Sequence, residues 1–224
     1  MTQKADRWVA IGLDHQVQPG SSNPVMVDGF ALAMWRPDGG PVNVWEDRCP
    51  HRGMRLSYGF VRGNVLRCIY HGWGYGSGGQ CVSIPAHPDL TPPKTICANV
   101  FRSETRYGLV WTNLAETPLA ALPDSGDGVE WTPVRSLYVN RPESTVRDGI
   151  VAVEEGNGSS VEADESTVTV RCAGGTVLLM AIQKVDENKT ALHVVARGQG
   201  TSTSRERLAL VERMELLRGQ LETC

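Results

Sequence analysis

Short apolar runs separated by glycine, proline, asparagine and aspartate dominate the first half of the chain. Residues 25–27, 30–35, 42–45 and 109–111 combine β-branched, aromatic and aliphatic side chains between turn formers, which predicts a compact all-β unit. The second half reads differently. Residues 166–171, 177–182 and 191–196 predict three strands, with turns at Gly174 and Gly175 and at Asp186, Glu187 and Asn188, and the last two strands form an antiparallel hairpin. Thr203 and Glu206 then have the spacing of a capping box. Leu208, Val211, Met214, Leu217 and Leu221 follow at helical spacing, predicting an amphipathic helix over about 204–221 whose apolar stripe packs on the C-terminal sheet.

Between the halves, Pro118, Pro123, Gly126, Gly128 and Pro133 mark a change of composition. The expected organisation is a β domain at 1–116, a Pro/Gly-rich linker at 117–147 and a small α+β domain at 148–224. The expected fold class is α+β, predominantly antiparallel β. Residues 154–165, glycines and serines among carboxylates, are expected to form a solvated loop or a hairpin tip, and their spacing does not fit an EF-hand.

Charge narrows the range of partners. The chain carries 22 Lys and Arg against 25 Asp and Glu, a net −3, which offers no overall basic field for nucleic acid or an anionic membrane. The longest apolar run, 177–182, is far short of the roughly 20 residues of a membrane helix. Residues 1–7 alternate in charge without an export-signal core, so a cytoplasmic protein is expected, with no nucleic acid and no membrane as partner. In that setting the six cysteines are expected as reduced thiols or metal ligands.

Two Cys-His pairs carry the chemistry: Cys49-Pro50-His51-Arg52-Gly53, and Cys68-Ile69-Tyr70-His71-Gly72-Trp73, which begins 17 residues after His51. Two thiolates and two imidazoles on two loops suit a centre with one sulfur-ligated and one nitrogen-ligated side, as in a two-iron, two-sulfide cluster. Neutral imidazoles lower the negative charge on their iron and make it easier to reduce, and each keeps an outward nitrogen that can carry a proton with the electron. A tetrahedral zinc site is the alternative, for which the single residue between Cys49 and His51 is tight. Cys81, Cys97, Cys172 and Cys224 lie outside the pattern and are expected as small buried residues or surface thiols. Trp8, Trp35, Trp45, Trp111 and Trp131 are expected as core or interface aromatics.

These residues resemble the Rieske iron-sulfur proteins, and more narrowly the Rieske domain of ring-hydroxylating oxygenase α subunits. The resemblance extends from Asp47 and Arg48 through Leu56 and Gly59 to Gly79, Ile84, Pro85 and the run from Tyr107 to Trp111. It implies one [2Fe-2S] cluster, with Cys49 and Cys68 on the inner iron and His51 and His71 on the outer one. Met54 and Tyr70 stand where high-potential members carry a disulfide, so the resemblance is to the low-potential type, fed by a reductase. Trp73 and Pro85 are expected to cover the cluster, and backbone amides of the loops to donate to its sulfides.

Oxygenase α subunits also carry a mononuclear iron held by two histidines and a carboxylate. Nothing after Gly108 has the family's pattern for that site, and His193 is the sole histidine beyond His87. His15 and His87 could reach Glu154 or Glu155 with no spacing argument behind it. The C-terminal part is short for the catalytic domain and resembles its two ends without the iron-bearing middle. Mononuclear Fe(II) is therefore not expected in this chain, and no residue is assigned a catalytic role. The implied function is a Rieske electron-transfer component. It would pass single electrons from a flavin or ferredoxin reductase to an oxygenase subunit carrying mononuclear iron, within a hetero-oligomer. The alternatives are a complete compact Rieske oxygenase (hydroxylase or demethylase) with an unrecognised iron site, a free Rieske ferredoxin, and a structural subunit holding a cluster or zinc.

Overall fold

The structure, a computed structural model, describes residues 7–115 and 130–223. The first segment holds ten strands: β1 (Trp8–Leu13), β2 (Ser22–Val27), β3 (Phe30–Trp35), β4 (Asn43–Glu46), β5 (Phe60–Arg62), β6 (Val65–Arg67), β7 (Gly74–Gly76), β8 (Cys81–Ser83), β9 (Val100–Arg106) and β10 (Leu109–Asn113). Six form an antiparallel sheet in the order β1-β10-β9-β4-β3-β2, and four form a smaller one, β5-β6-β7-β8. The expected runs 25–27, 30–35, 42–45 and 109–111 fall in β2, β3, β4 and β10. Trp35 and Trp45, both fully buried, meet edge to face with ring centroids 4.9 Å apart. They share a core with Cys49, Leu56, Cys68 and Tyr75, so the cysteine loops rest on the wall between the two sheets.

The second segment holds β11 (Thr132–Val139), α1 (Glu143–Gly156), β12 (Ser160–Ala163), β13 (Thr167–Arg171), β14 (Thr176–Asp186), β15 (Lys189–Gly198) and α2 (Ser204–Thr223). Its antiparallel sheet has the order β11-β15-β14-β13-β12. The expected hairpin is β14 with β15, in register from Thr176 opposite Gly198. The capping box is present at the start of α2. The Thr203 N–H and hydroxyl each donate to Glu206 Oε2 at 2.8 Å, and the Glu206 N–H donates back to Thr203 Oγ1 at 3.2 Å.

Four expectations need correction. The segment read as a linker, 117–147, contains β11 and the start of α1, and its portion 117–129 lies outside the described residues. Pro133 sits at the β11 bulge, where the register with β15 shifts and a ladder N–H is not required. Helix α1 was not expected, and Glu154, assigned to a solvated loop, lies on it with 1% exposure, ion-paired to Arg213 of α2. The buried stripe of α2 is Leu210, Met214, Leu217 and Leu221, whereas Leu208 is 57% exposed.

The run 177–182 lacks strand alternation because β14 is buried on both faces. Leu178, Met180 and Ile182, with Leu192, Val194 and Ala196 of β15, meet Val146, Ile150, Met214, Leu217 and Leu221 of the helices. Leu179, Ala181 and Val195 face the other way, onto Ala10, Leu13, Leu109 and Trp111 of β1 and β10. The result is three layers: helices, five-stranded sheet, six-stranded sheet. Polar groups fasten the last two together. The tight turn after β2, with φ of 49° at Asp28 and 73° at Gly29, offers its amides to Lys184 O at 2.7 Å and Val185 O at 2.8 Å, and Lys184 Nζ pairs with Asp28 Oδ1 at 2.8 Å.

Candidate cluster-binding site

Two loops, one between β4 and the short 3-10 turn at Leu56–Tyr58 and one between β6 and β7, repeat the same backbone turn. In the first, the Cys49 N–H donates to Met54 O at 2.7 Å and the Gly53 N–H to Cys49 O at 2.8 Å. In the second, the Cys68 N–H donates to Trp73 O at 3.0 Å and the Gly72 N–H to Cys68 O at 2.9 Å. Each turn closes on a left-handed glycine four residues after its cysteine, with φ of 73° at Gly53 and 70° at Gly72. That conformation costs other residues a Cβ clash, which is why both motifs end in Cys-x-x-x-Gly. At Gly72 space adds to the demand, since a Cβ there would stand 3.0 Å from Pro85 Cγ.

The turns place all four candidate ligands at one end of the small sheet. Cys49 and Cys68 are each 2% exposed, His51 is half-buried and His71 is exposed. The two imidazole centroids lie 4.7 Å apart. Trp73 stacks on His51 at 4.1 Å with only 5° between the planes, and Tyr70 lies 3.8 Å from the His71 ring. Trp73 therefore covers the His51 ring, while Pro85 is exposed and touches the second loop at Gly72. Behind the thiols, the fully buried Tyr75 brings its hydroxyl to 3.1 Å from Cys49 Sγ. Asp47, 5% exposed, anchors the first loop by accepting the Ser57 N–H and hydroxyl, both at 2.7 Å.

Electrostatics favour a metal centre with neutral outer donors. Burial raises the Cys68 thiol, and the adjacent Cys49 pushes it the same way, so two thiolates here call for a cationic centre between them. Burial first, then the fields of His71 and Arg52, holds His51 below its ordinary range, which presents a neutral imidazole nitrogen. Two thiols inside and two imidazoles outside, on separate loops, thus fit a two-iron cluster better than one tetrahedral zinc.

The remaining histidines are not gathered into a site. His15 and His87 are exposed, and Glu154 is committed to Arg213. His193, 3% exposed, lies in the seam between the layers. Gln183 donates Nε2–H to Met26 O at 2.6 Å, which leaves Gln183 Oε1 to accept from His193 Nε2 at 2.6 Å. His193 is thereby the Nε2–H tautomer, and its Nδ1 lies 2.8 Å from the Ser136 hydroxyl oxygen, which is also 3.1 Å from Gln16 Oε1. Of the other cysteines, Cys81 is buried, Cys97 is exposed, Cys172 is half-buried 3.1 Å from Arg213, and Cys224 lies outside the described residues. Trp35, Trp45 and Trp111 are core residues, and Trp8 and Trp131 are half-buried at the layer interface. Sequence reasoning missed Tyr75. The signal was present in its place two residues after Trp73, on a strand leading out of the second loop.

A Rieske [2Fe-2S] domain family model matches residues 7–97. Oxidoreductase NdmD of Pseudomonas putida is 50% identical over 91 residues, 40% of this chain and 16% of that protein. The vanillate O-demethylase oxygenase subunit of Pseudomonas sp. (strain HR199 / DSM 7063) is 31% identical over 159 residues, 66% of this chain and 44% of that one. The chain thus spans less than half the length of these curated relatives. Among solved structures, NdmA of Pseudomonas putida CBB5 superposes with a TM-score of 0.77 at 20% identity, covering 97% of this chain and 80% of NdmA, a likeness of fold. No described helix is long and apolar enough to cross a membrane. With the paired turns, the sulfur-inside and nitrogen-outside donor set and these matches together, the chain carries a Rieske [2Fe-2S] domain and is a homologue of the Rieske oxygenase subunits.

Proposed function

We propose that the chain is the electron-transfer component of an oxygenase system. It holds one [2Fe-2S] cluster, with Cys49 and Cys68 on the inner iron and His51 and His71 on the outer. It receives single electrons from a flavin or ferredoxin reductase and delivers them to a mononuclear iron on a partner subunit of a hetero-oligomer. The observation that carries this reading is a full set of four ligand-type residues on two matching turns, beside a second unit with no comparable set among its described residues. Neither α1 nor α2 contains a histidine. The space between those helices and the sheet is taken by Val146, Ile150, Met214, Leu217 and their strand partners, all 8% exposed or less. In this division of labour, the segment 7–115 carries the redox centre and the segment 130–223 serves as its support.

The bound cluster supplies storage for one electron, and the chain's own residues set how it is used. Tyr75, kept protonated because burial raises its phenol far above the ordinary range, donates to the Cys49 sulfur. Trp73 closes off His51, while His71 presents its ring at the surface, where a proton can be exchanged as the electron passes.

The test is reconstitution with NADH, a flavin reductase and an oxygenase subunit that holds mononuclear iron, followed by cluster absorbance and product formation. Cluster reduction by the reductase, with product appearing only when the partner subunit is added, is the expected result. Product from this chain and the reductase alone would establish the compact-oxygenase alternative instead.

A further inference from the structure

Charge is distributed unevenly along this chain. Residues 48–88 contain five arginines, Arg48, Arg52, Arg55, Arg62 and Arg67, with no lysine and no acidic residue, while the rest carries 17 cations against 25 anions. The net −3 conceals one positive segment, 48–88, of which Arg48 and Arg52 flank His51, and a remainder that is negative. Elsewhere arginines are committed to carboxylates, as in Arg7 with Glu143, Arg36 with Asp14 and Arg135 with Glu215. Among the described residues Arg48, Arg52, Arg55 and Arg62 form no ion pair, and all four are exposed; Arg67 donates to Ser83 Oγ at 3.0 Å.

The acids nearby do not cancel this field. Asp47 is buried on Ser57, Asp38 is held by the Gly63 N–H at 2.9 Å, Glu46 is half-buried beside Asn99, and Asp89 begins the next loop. Arg48 and Arg52 line an open cavity of about 270 Å³ together with His51, Glu46, Cys97 and Asn99. Two further arginines are ordered over exposed rings, Arg55 at 5.9 Å from the Tyr58 centroid and Arg62 at 5.7 Å from Phe60. Tyr58 is 56% exposed, Phe60 42% and Tyr70, against His71, 54%. Beside the two histidines, the exposed Tyr70 with Arg48 and Arg52 has the composition of an interface centre.

We propose that this face docks an acidic electron-transfer protein, whose carboxylates enter between Arg48 and Arg52 beside His51. The inference rests on the electron-transfer reading above and adds the charge of the partner. Nucleic acid fits less well, because the positive region is confined to the segment 48–88 and the remainder of the chain would repel a phosphate backbone.

The test exploits a difference of sign. The reduced cluster gives one electron to ferricyanide, forming ferrocyanide, and to the cationic oxidant tris(phenanthroline)cobalt(III). Local control by the arginines predicts a ferricyanide rate constant that falls about threefold or more as ionic strength rises from 10 to 300 mM, with the opposite trend for the cation. Control by the net charge reverses both trends and overturns the proposal while leaving electron transfer intact. A cluster that exchanges electrons with neither oxidant removes the electron-transfer reading and the docking face with it. Binding supplies a second readout. Calorimetry with an acidic plant-type [2Fe-2S] ferredoxin as probe should show association at 10 mM that is lost at 300 mM. It should weaken about tenfold in Arg48→Gln/Arg52→Gln, a variant whose cluster absorbance reports its folding. No association at low salt, or equal affinity in the variant, overturns the proposal.

Discussion

The Tyr75 hydroxyl lies 3.1 Å from the Cys49 sulfur, and both groups are sealed from solvent at 0% and 2% exposure. With the sulfur committed to iron as a thiolate, the phenol is the donor. A hydrogen bond to a thiolate stabilises the more negative, reduced state more than the oxidised one. Tyr75→Phe should therefore keep its cluster and shift the reduction potential downward by roughly 50 mV, the one-electron equivalent of about 1 kcal/mol. A redox titration followed by EPR reads this directly. An unchanged potential would mean that the hydroxyl does not act on the ligand.

The two loop glycines differ in a way that substitution should expose. Gly53 and Gly72 share the left-handed conformation, but a Cβ at Gly53 meets nothing nearer than Arg48 Nε at 3.6 Å, whereas at Gly72 it meets Pro85 Cγ at 3.0 Å. Gly53→Ala should cost about 1–2 kcal/mol of backbone strain and retain its cluster. Gly72→Ala should displace the second loop and lose most of its iron. Iron per chain after identical purification separates them, and equal loading would refute the steric distinction.

Arg213 neutralises a carboxylate that has almost no contact with water. Glu154 is 1% exposed, and its partner reaches it from the neighbouring helix. Arg213→Met strands that charge and should cost about 3 kcal/mol, whereas Glu154→Leu/Arg213→Met should recover most of it, because removing both members avoids an unpaired buried ion. Thermal midpoints of the single and double variants decide the matter; a double variant as unstable as the single one would contradict it.

Burial holds His193 down at about 4, below its unfolded value of 6.5. Between those values the unfolded chain binds the extra proton and the folded chain does not. Stability is therefore lost as pH falls below 6.5, and the loss levels off near 4. The full span is on the order of 3 kcal/mol. Urea midpoints at pH 7 and pH 4.5 should diverge in the parent protein and converge in His193→Gln. An identical pH slope in both would show that His193 does not cause it.

What the sequence made legible was local. Cys49 to Gly53 and Cys68 to Gly72 each encode a single turn, and Thr203 with Glu206 encodes a single cap, so spacing alone identified them. The three C-terminal strands were legible because β13 alternates Thr with buried Val, while β14 and β15, buried on both faces, read as apolar runs interrupted in 191–196 by His193 alone. Helix α1 was not, since only Val146 and Ile150 among its apolar residues are fully buried and Gly149, packed against Leu221, interrupts the pattern. In α2 the expected stripe ran at repeated steps of three, which drift around a helix of 3.6 residues per turn; the buried set, Leu210, Met214, Leu217 and Leu221, alternates steps of four and three and stays on one face. Tyr75 on Cys49 and Gln183 on His193 join residues that only the folded chain brings together, and no short-range pattern announces them.

The central claim is that this chain holds a Rieske cluster and relies on another subunit for its oxygen-activating iron. Iron and acid-labile sulfide per chain, measured on anaerobically purified protein, test it in integers. About two iron and two sulfide per chain are expected. About three iron with two sulfide would contradict it, by placing a mononuclear site within this chain and making it an oxygenase in its own right.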